Sequence, residues 1–138
     1  MQIRAFRASD EASVIALWTA CDLVRPWNDP RKDILRKLSH QPEMFLVGEE
    51  DGELVASVMA GYEGHRGWLN YLAVSPAHRN RSFGRQIVAE AERMLTECNC
   101  PKLNMQIRSS NAAVLGFYAR LGYTPDDVVC LGKRLIAD

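Results

Sequence analysis

From Trp68 to Ile107 the hydrophobic period of the chain switches from strand to helix and back, and no other stretch restricts the fold as tightly. Trp68 to Val74 is a short apolar run between the turn Glu63-Gly64-His65-Arg66-Gly67 and Ser75-Pro76, as a strand requires. After a basic turn, Gly84 to Cys98 carries Ile87, Val88, Ala91, Met94, Leu95 and Cys98 at a 3.6-residue period, so one face of a helix must be covered. Leu103, Met105 and Ile107 then alternate with Lys102, Asn104, Gln106 and Arg108, which predicts a half-buried strand. Strand, helix, strand in this order predicts a right-handed parallel crossover with the helix lying on the sheet.

The other segments supply an antiparallel part. Gln2 to Phe6 reads as a short strand, and Ser9 as the N-cap of a helix with Asp10 and Glu11 in its first turn and Val14, Leu17, Trp18 and Cys21 at helical spacing. Asp29-Pro30 reads as a cap followed by proline at the first helical position, with Ile34, Leu35 and Leu38 as the apolar stripe before Pro42. Met44 to Glu49 and Glu53 to Tyr62 flank Asp51-Gly52, a strong hairpin signal. Asn111 opens a helix carrying Val114, Leu115, Phe117, Tyr118 and Leu121, stopped by Gly122, and Val128 to Leu135 reads as a last strand. A chain of 138 residues that is 47% hydrophobic makes one domain, 1–138, able to bury roughly two thirds of the surface its unfolded form exposes.

The turn from Ser75 to Arg85 carries the chemistry. An apolar strand running through small residues into a helix presents free N–H groups with about half a positive charge, an anion site provided nothing bulky blocks the approach. Arg79, Arg81 and Arg85 add full charges there, which points to a pyrophosphate-bearing ligand. Elsewhere the charge is even: seventeen Lys and Arg balance seventeen Asp and Glu. That argues against nucleic acid or a membrane surface as partner. No apolar stretch approaches a membrane span and the first residues hold no secretion-type apolar region, so the expected location is the cytoplasm. Cys21, Cys98, Cys100 and Cys130 are too few and irregular for a disulfide scaffold, and His40, His65 and His78 are scattered, so reduced thiols and no metal are expected.

The spacing Arg79-x-x-Ser82-x-Gly84, with Asn111 and Tyr118 downstream, resembles the GNAT superfamily of acyl-CoA-dependent N-acyltransferases, whose phosphate loop reads Arg/Gln-x-x-Gly-x-Gly/Ala. The likeness extends over nearly the whole chain. Arg25-Pro26-Trp27-Asn28-Asp29-Pro30 and the closing Leu131-Gly132-Lys133-Arg134-Leu135-Ile136 are similar to the bacterial YpeA-type branch. The resemblance implies an α/β (α+β) fold: a mixed, mostly antiparallel sheet with a central splayed parallel strand pair and helices on both faces. It implies acetyl-CoA as co-substrate, with the pantetheine arm on backbone freed at Leu72, Ala73 and Val74 and the pyrophosphate across the N–H groups of Asn80, Arg81, Ser82, Phe83, Gly84 and Arg85. Asn111 would bond the arm, and Tyr118 would protonate the departing thiolate. It also admits a homodimer.

Each assignment has a plainer counterpart. Tyr118 shares its helix with Leu115, Phe117 and Leu121 and could pack as a core tyrosine; Asn111 serves equally as an N-cap. Ser82 replaces the first loop glycine of the family, and its Cβ narrows the approach if the backbone needs positive φ. Many members of that family carry a carboxylate on the strand equivalent to Trp68 to Val74, where this chain has Asn70 and Tyr71. Glu63 and His65 in the preceding turn are then the nearest candidates for the catalytic base, with Asp22 as another. Trp27 and Trp68 are candidate substrate contacts. The leading reading is acetyl transfer from acetyl-CoA to a primary amine on a small molecule, a protein N-terminus or a lysine, by direct attack. Its rival is an acyl-CoA-binding module without transferase activity. An ordinary nucleotide binder is disfavoured, because the loop lacks a following Lys-Ser/Thr and a Gly-x-Gly-x-x-Gly pattern.

Overall fold

Asp51 and Gly52 both take positive φ, 51° and 79°, in the computed structural model, which describes residues 1–138. Two successive left-handed residues make the mirror-image turn whose twist suits a tight hairpin. It joins β2 (Phe45–Glu50) to β3 (Glu53–Tyr62). The chain divides into two units, Met1–Met105 and Gln106–Asp138.

The first unit also holds β1 (Gln2–Ala5), α1 (Glu11–Ala20), α2 (Pro30–Leu38), β4 (Gly67–Val74), α3 (Phe83–Glu97) and β5 (Leu103–Met105). The strands lie in chain order. β1 to β4 pair antiparallel, and β4 pairs with β5 in parallel through Gly67↔Leu103, Trp68↔Asn104 and Leu69↔Met105. This is the mixed sheet and the parallel crossover that the period switch predicts. Asp29 caps α2 by accepting from Arg31 N–H (3.0 Å) and Lys32 N–H (3.4 Å), with Pro30 at the first position.

Register sorts the core into two faces. Phe45 and Val47 of β2 stand opposite Met59 and Ser57 of β3, and Ser57 stands opposite Ala73 of β4, so these side chains share a face. Val14, Leu17 and Trp18 of α1 and Ile34 of α2 cover it. Full burial stabilises side chains of this kind by roughly 1.5–3 kcal/mol each. α3 packs on β2, β3 and β4 through a separate buried stripe, Ile87, Val88, Ala91 and Leu95. Gly67 permits that contact: a Cβ there would meet Cys100 Sγ at 2.9 Å and Leu95 Cδ1 at 3.3 Å.

Three expectations need correction. Ser9 does not cap α1. It lies within a 3-10 turn, Ala8–Asp10, and Asp10 precedes Glu11 instead. The Asp10 carboxylate is held by Arg4 (2.7 and 2.9 Å) and by Arg7 N–H (2.8 Å), charge-assisted bonds that a serine hydroxyl cannot match. β5 ends at Met105 rather than Ile107, because β4 bulges at Tyr71 and offers parallel pairing only as far as Leu69. In the second unit the strand expected from Val128 to Leu135 does not form. Val128, Val129, Leu131 and Leu135 are exposed, and no residue from 124 to 138 takes helix or strand. Its apolar positions break the two-residue period at Val128-Val129, and Gly132 adds no side chain to pack.

α4 (Ala112–Arg120) of the second unit follows the predicted signals. The Asn111 side chain accepts from Val114 N–H at 3.2 Å, and Tyr123 N–H closes the helix end on Tyr118 C=O at 3.1 Å.

Candidate functional site

Between β3 and β4 the register passes from Met59↔Asn70 to Ser57↔Ala73, so Tyr71 and Leu72 together face Val58 alone. Tyr71 takes φ 54° there. A bulky residue in the left-handed region costs of order 1–3 kcal/mol and persists only where its surroundings hold it. They do: its ring stacks on Trp18 (3.9 Å, 16°), and its C=O accepts from Ser57 Oγ (3.2 Å), which itself accepts from Trp18 Nε1 (2.8 Å). Past Leu69, no strand lies beside β4 on the side away from β3. The stretch Asn70 to Val74, including Leu72, Ala73 and Val74, therefore forms one wall of an opening in the sheet.

That wall leads into the basic turn. Pro76–His78 forms a 3-10 turn, and α3 starts at Phe83. Asn80 (φ 64°) and Ser82 (φ 63°) are both left-handed. This backbone turns the chain abruptly into the helix, whose first N–H groups, on Phe83, Gly84 and Arg85, have no acceptor within it. The Ser82 side chain does not cap them. Phe83 is buried and anchors the turn, Arg81 lies over its ring at 4.8 Å, and Glu50 stands 3.7 Å from Arg81. Arg79 reaches Cys21 Sγ at 3.9 Å, and Arg79, Arg81 and Arg85 are exposed. The unit thus presents unsatisfied donors, a helix dipole and three guanidinium groups, the arrangement that holds a phosphate ester.

Asn is tolerated in the left-handed region through its short polar side chain; Ser pays more of the strain. Replacing Ser82 by Gly removes about 1 kcal/mol of strain and adds a similar loss of unfolded-chain freedom. Ser82→Gly is therefore expected to leave melting nearly unchanged and, for the acetyl-CoA that the resemblance implies, to alter the affinity measured by calorimetry by less than about tenfold. A much larger gain would show the Cβ obstructing the ligand and favour a degenerate binding module.

The expected bases fare unequally. Glu63 accepts from His65 N–H (2.6 Å) and Arg66 N–H (2.7 Å), and these bonds hold its carboxyl below the usual range. Both its oxygens are committed to closing their own turn, on backbone donors that cannot relay a proton. His65 is exposed in the same turn, and Asp22 pairs with Arg25 at 3.2 Å. Trp27 is 48% exposed and Trp68 36%, while Trp18 is the tryptophan that anchors the core. Sequence reasoning missed Asp33, whose Oδ2 accepts from Tyr71 Oη at 2.5 Å. The two are thirty-eight positions apart and no local signal connects them.

In the second unit Tyr118 is 5% exposed, with Phe117 (5.1 Å) and Tyr123 (5.3 Å) edge-on to its ring. Burial raises its phenol above the ordinary pKa, so it keeps its proton throughout the neutral range. The four cysteines are free, no three His, Cys, Asp or Glu side chains group as metal ligands, and no helix is long and apolar enough to cross a membrane.

Residues 12–123 match the model of the acetyltransferase (GNAT) family. An acetyltransferase of Yersinia enterocolitica is 52% identical over 138 residues, covering 100% of this chain and 98% of its own. Among solved structures, an aminoglycoside acetyltransferase, AAC(6')-Iy in complex with a CoA-containing bisubstrate analogue, superposes with TM-score 0.78 at 18% identity over 97% of this chain and 98% of its own. The ribosomal-protein-S18-alanine N-acetyltransferase of Escherichia coli gives 0.72 at 19% identity over 88% and 76%. At such identities these two speak for the fold alone.

Proposed function

Since the chain belongs to the acetyltransferase (GNAT) family, and so to the acyl-CoA-dependent acetyltransferases, we propose that it transfers the acetyl group of acetyl-CoA to a primary amine by direct attack of the nitrogen on the thioester carbon. The observation that carries this reading is the left-handed pair Asn80 and Ser82, which opens α3 on a basic turn at the end of an unaccompanied strand. Arg79, Arg81 and Arg85 neutralise the pyrophosphate, and the N–H groups from Asn80 to Arg85 bind its oxygens. Leu72, Ala73 and Val74 offer backbone to the pantetheine arm. In the second unit Asn111 is assigned to the arm and Tyr118 to the leaving thiolate. The acceptor is a small molecule, a protein N-terminus or a lysine, and the reaction runs in the cytoplasm, in a single catalytic domain that this reading allows to pair as a homodimer.

Incubation with acetyl-CoA and a panel of primary amines, read as free-thiol release, tests the proposal. Amine-dependent release is expected, together with a melting temperature raised several degrees by acetyl-CoA. A ligand at 100 times its Kd stabilises by about 2.7 kcal/mol. A thermal shift without thiol release from any amine would instead make the chain a binding module. No shift at millimolar acetyl-CoA would remove the site.

A further inference from the structure

The structure assigns to Tyr71 the proton-accepting contact with the attacking amine, and to Asp33 the role of positioning residue that receives the proton through it. This assignment rests on the acetyl-transfer reading above and names the base which that reading lacks. With the pyrophosphate at the start of α3, an arm that follows β4 backwards from Val74 to Leu72 delivers its acyl end to the neighbourhood of Tyr71, one residue further on. There the strand bulges, and the left-handed backbone of Tyr71 (φ 54°) is held by the Trp18 stack and the Ser57 hydroxyl. Trp18 and Ser57 are both fully buried, so the residue cannot relax without disturbing the core. A strained residue fixed from two sides, beside the unaccompanied end of a strand, is positioned rather than merely packed.

Its hydroxyl points to α2, where it donates to Asp33 Oδ2 at 2.5 Å, while Asp33 Oδ1 accepts from Arg36 at 3.2 Å. A phenol that donates to a carboxylate becomes a better acceptor for a second hydrogen bond. An acceptor arriving as an ammonium passes one proton to Tyr71 Oη as the Tyr71 hydroxyl proton moves to Asp33 Oδ2. The phenol is regenerated, the amine is neutral and Asp33 carries the proton. The nitrogen lone pair then forms the C–N bond, the C–S bond breaks with its electron pair on sulfur, and the second nitrogen proton neutralises the thiolate by way of the acid. Asp33 releases its proton to water with the product. Every proton is accounted for, and neither oxidant nor metal is required.

The test compares wild type with Tyr71→Phe and Asp33→Asn, using acetyl-CoA with a panel of primary alkylamines and with hydroxylamine, whose nitrogen is already neutral at neutral pH. Phe keeps the ring on Trp18, and Asn keeps an acceptor for the hydroxyl, so both variants are expected to fold. With alkylamines kcat should fall about a hundredfold in each, the low end for lost proton-transfer catalysis. Acetyl-CoA affinity should stay within about twofold, and Asp33→Glu should recover most of the rate. With hydroxylamine the deficit should shrink to a few-fold. Full activity in both variants would overturn the assignment, as would equal losses for alkylamines and hydroxylamine, since a structural defect does not sense the basicity of the acceptor. A wild-type chain that binds acetyl-CoA and acetylates none of these acceptors would overturn the acetyl-transfer reading and this assignment with it.

Discussion

Tyr118→Phe is expected to lower kcat by about 10² or more while leaving acetyl-CoA affinity within about twofold. The substitution keeps the ring, and with it the edge contacts to Phe117 and Tyr123, removing one hydroxyl. Because burial raises the phenol's pKa, the folded state prefers its neutral form. That preference is present in full below the unfolded phenol's value of about 10 and is lost as pH climbs from there through the higher folded value. Neither stability nor kcat should therefore decline through Tyr118 ionisation below about pH 10. Already on ordinary pKa values, a proton passing from phenol to a free thiolate climbs about 1.5 units, roughly 2 kcal/mol, and the burial of Tyr118 steepens that climb. The transfer must therefore accompany C–S cleavage, with the nitrogen proton refilling the phenol. An acyl donor whose leaving thiol is more acidic needs less of this help, so the deficit should narrow with it. A core tyrosine would show the opposite pattern: a lower melting temperature, near-normal turnover and no dependence on the leaving group.

Where a structural decision is made locally, the sequence was a good guide. Asp29-Pro30, Asp51-Gly52 and Asn111 each settle a cap or a turn within four residues, and the structure has all three. The α3 stripe needed only helical spacing, and the parallel pairing of β4 with β5 followed from the order strand, helix, strand. Decisions made by distant partners were not legible. Ser9 looks like a cap until Arg4 claims Asp10, and nothing around Tyr71 announces a positive φ, which is imposed by Trp18 and Ser57 from other elements. The pairing of Tyr71 with Asp33 depends on that bulge and shares its invisibility. Val128 to Leu135 failed for the converse reason: strand-forming composition is necessary for a strand, but a ladder partner makes one.

Gly84→Glu should abolish measurable acetyl-CoA binding while leaving the free protein at least as stable as the parent. The two effects have opposite signs from a single change. Gly84 is the second residue of α3, so replacing glycine by glutamate gains up to about 1 kcal/mol of helix propensity. A carboxylate in the first turn gains a further 0.3–1 kcal/mol or so from the helix dipole. Melting without ligand should therefore hold or rise by a few degrees, and circular dichroism should be unchanged. The same carboxylate occupies the position from which the turn would attract a phosphate. At about 5 Å, with an effective dielectric constant of about 20, one unit charge repels another by about 3 kcal/mol, more than a hundredfold in affinity. Its bulk also blocks approach to the N–H groups of Phe83 and Arg85. Calorimetry with acetyl-CoA should consequently show no heat at concentrations that saturate the parent, and the ligand-induced thermal shift should vanish. Unchanged affinity in a folded Gly84→Glu variant would remove the whole turn from Arg79 to Arg85 from the binding site, and with it the observation on which the acetyltransferase reading of this surface depends.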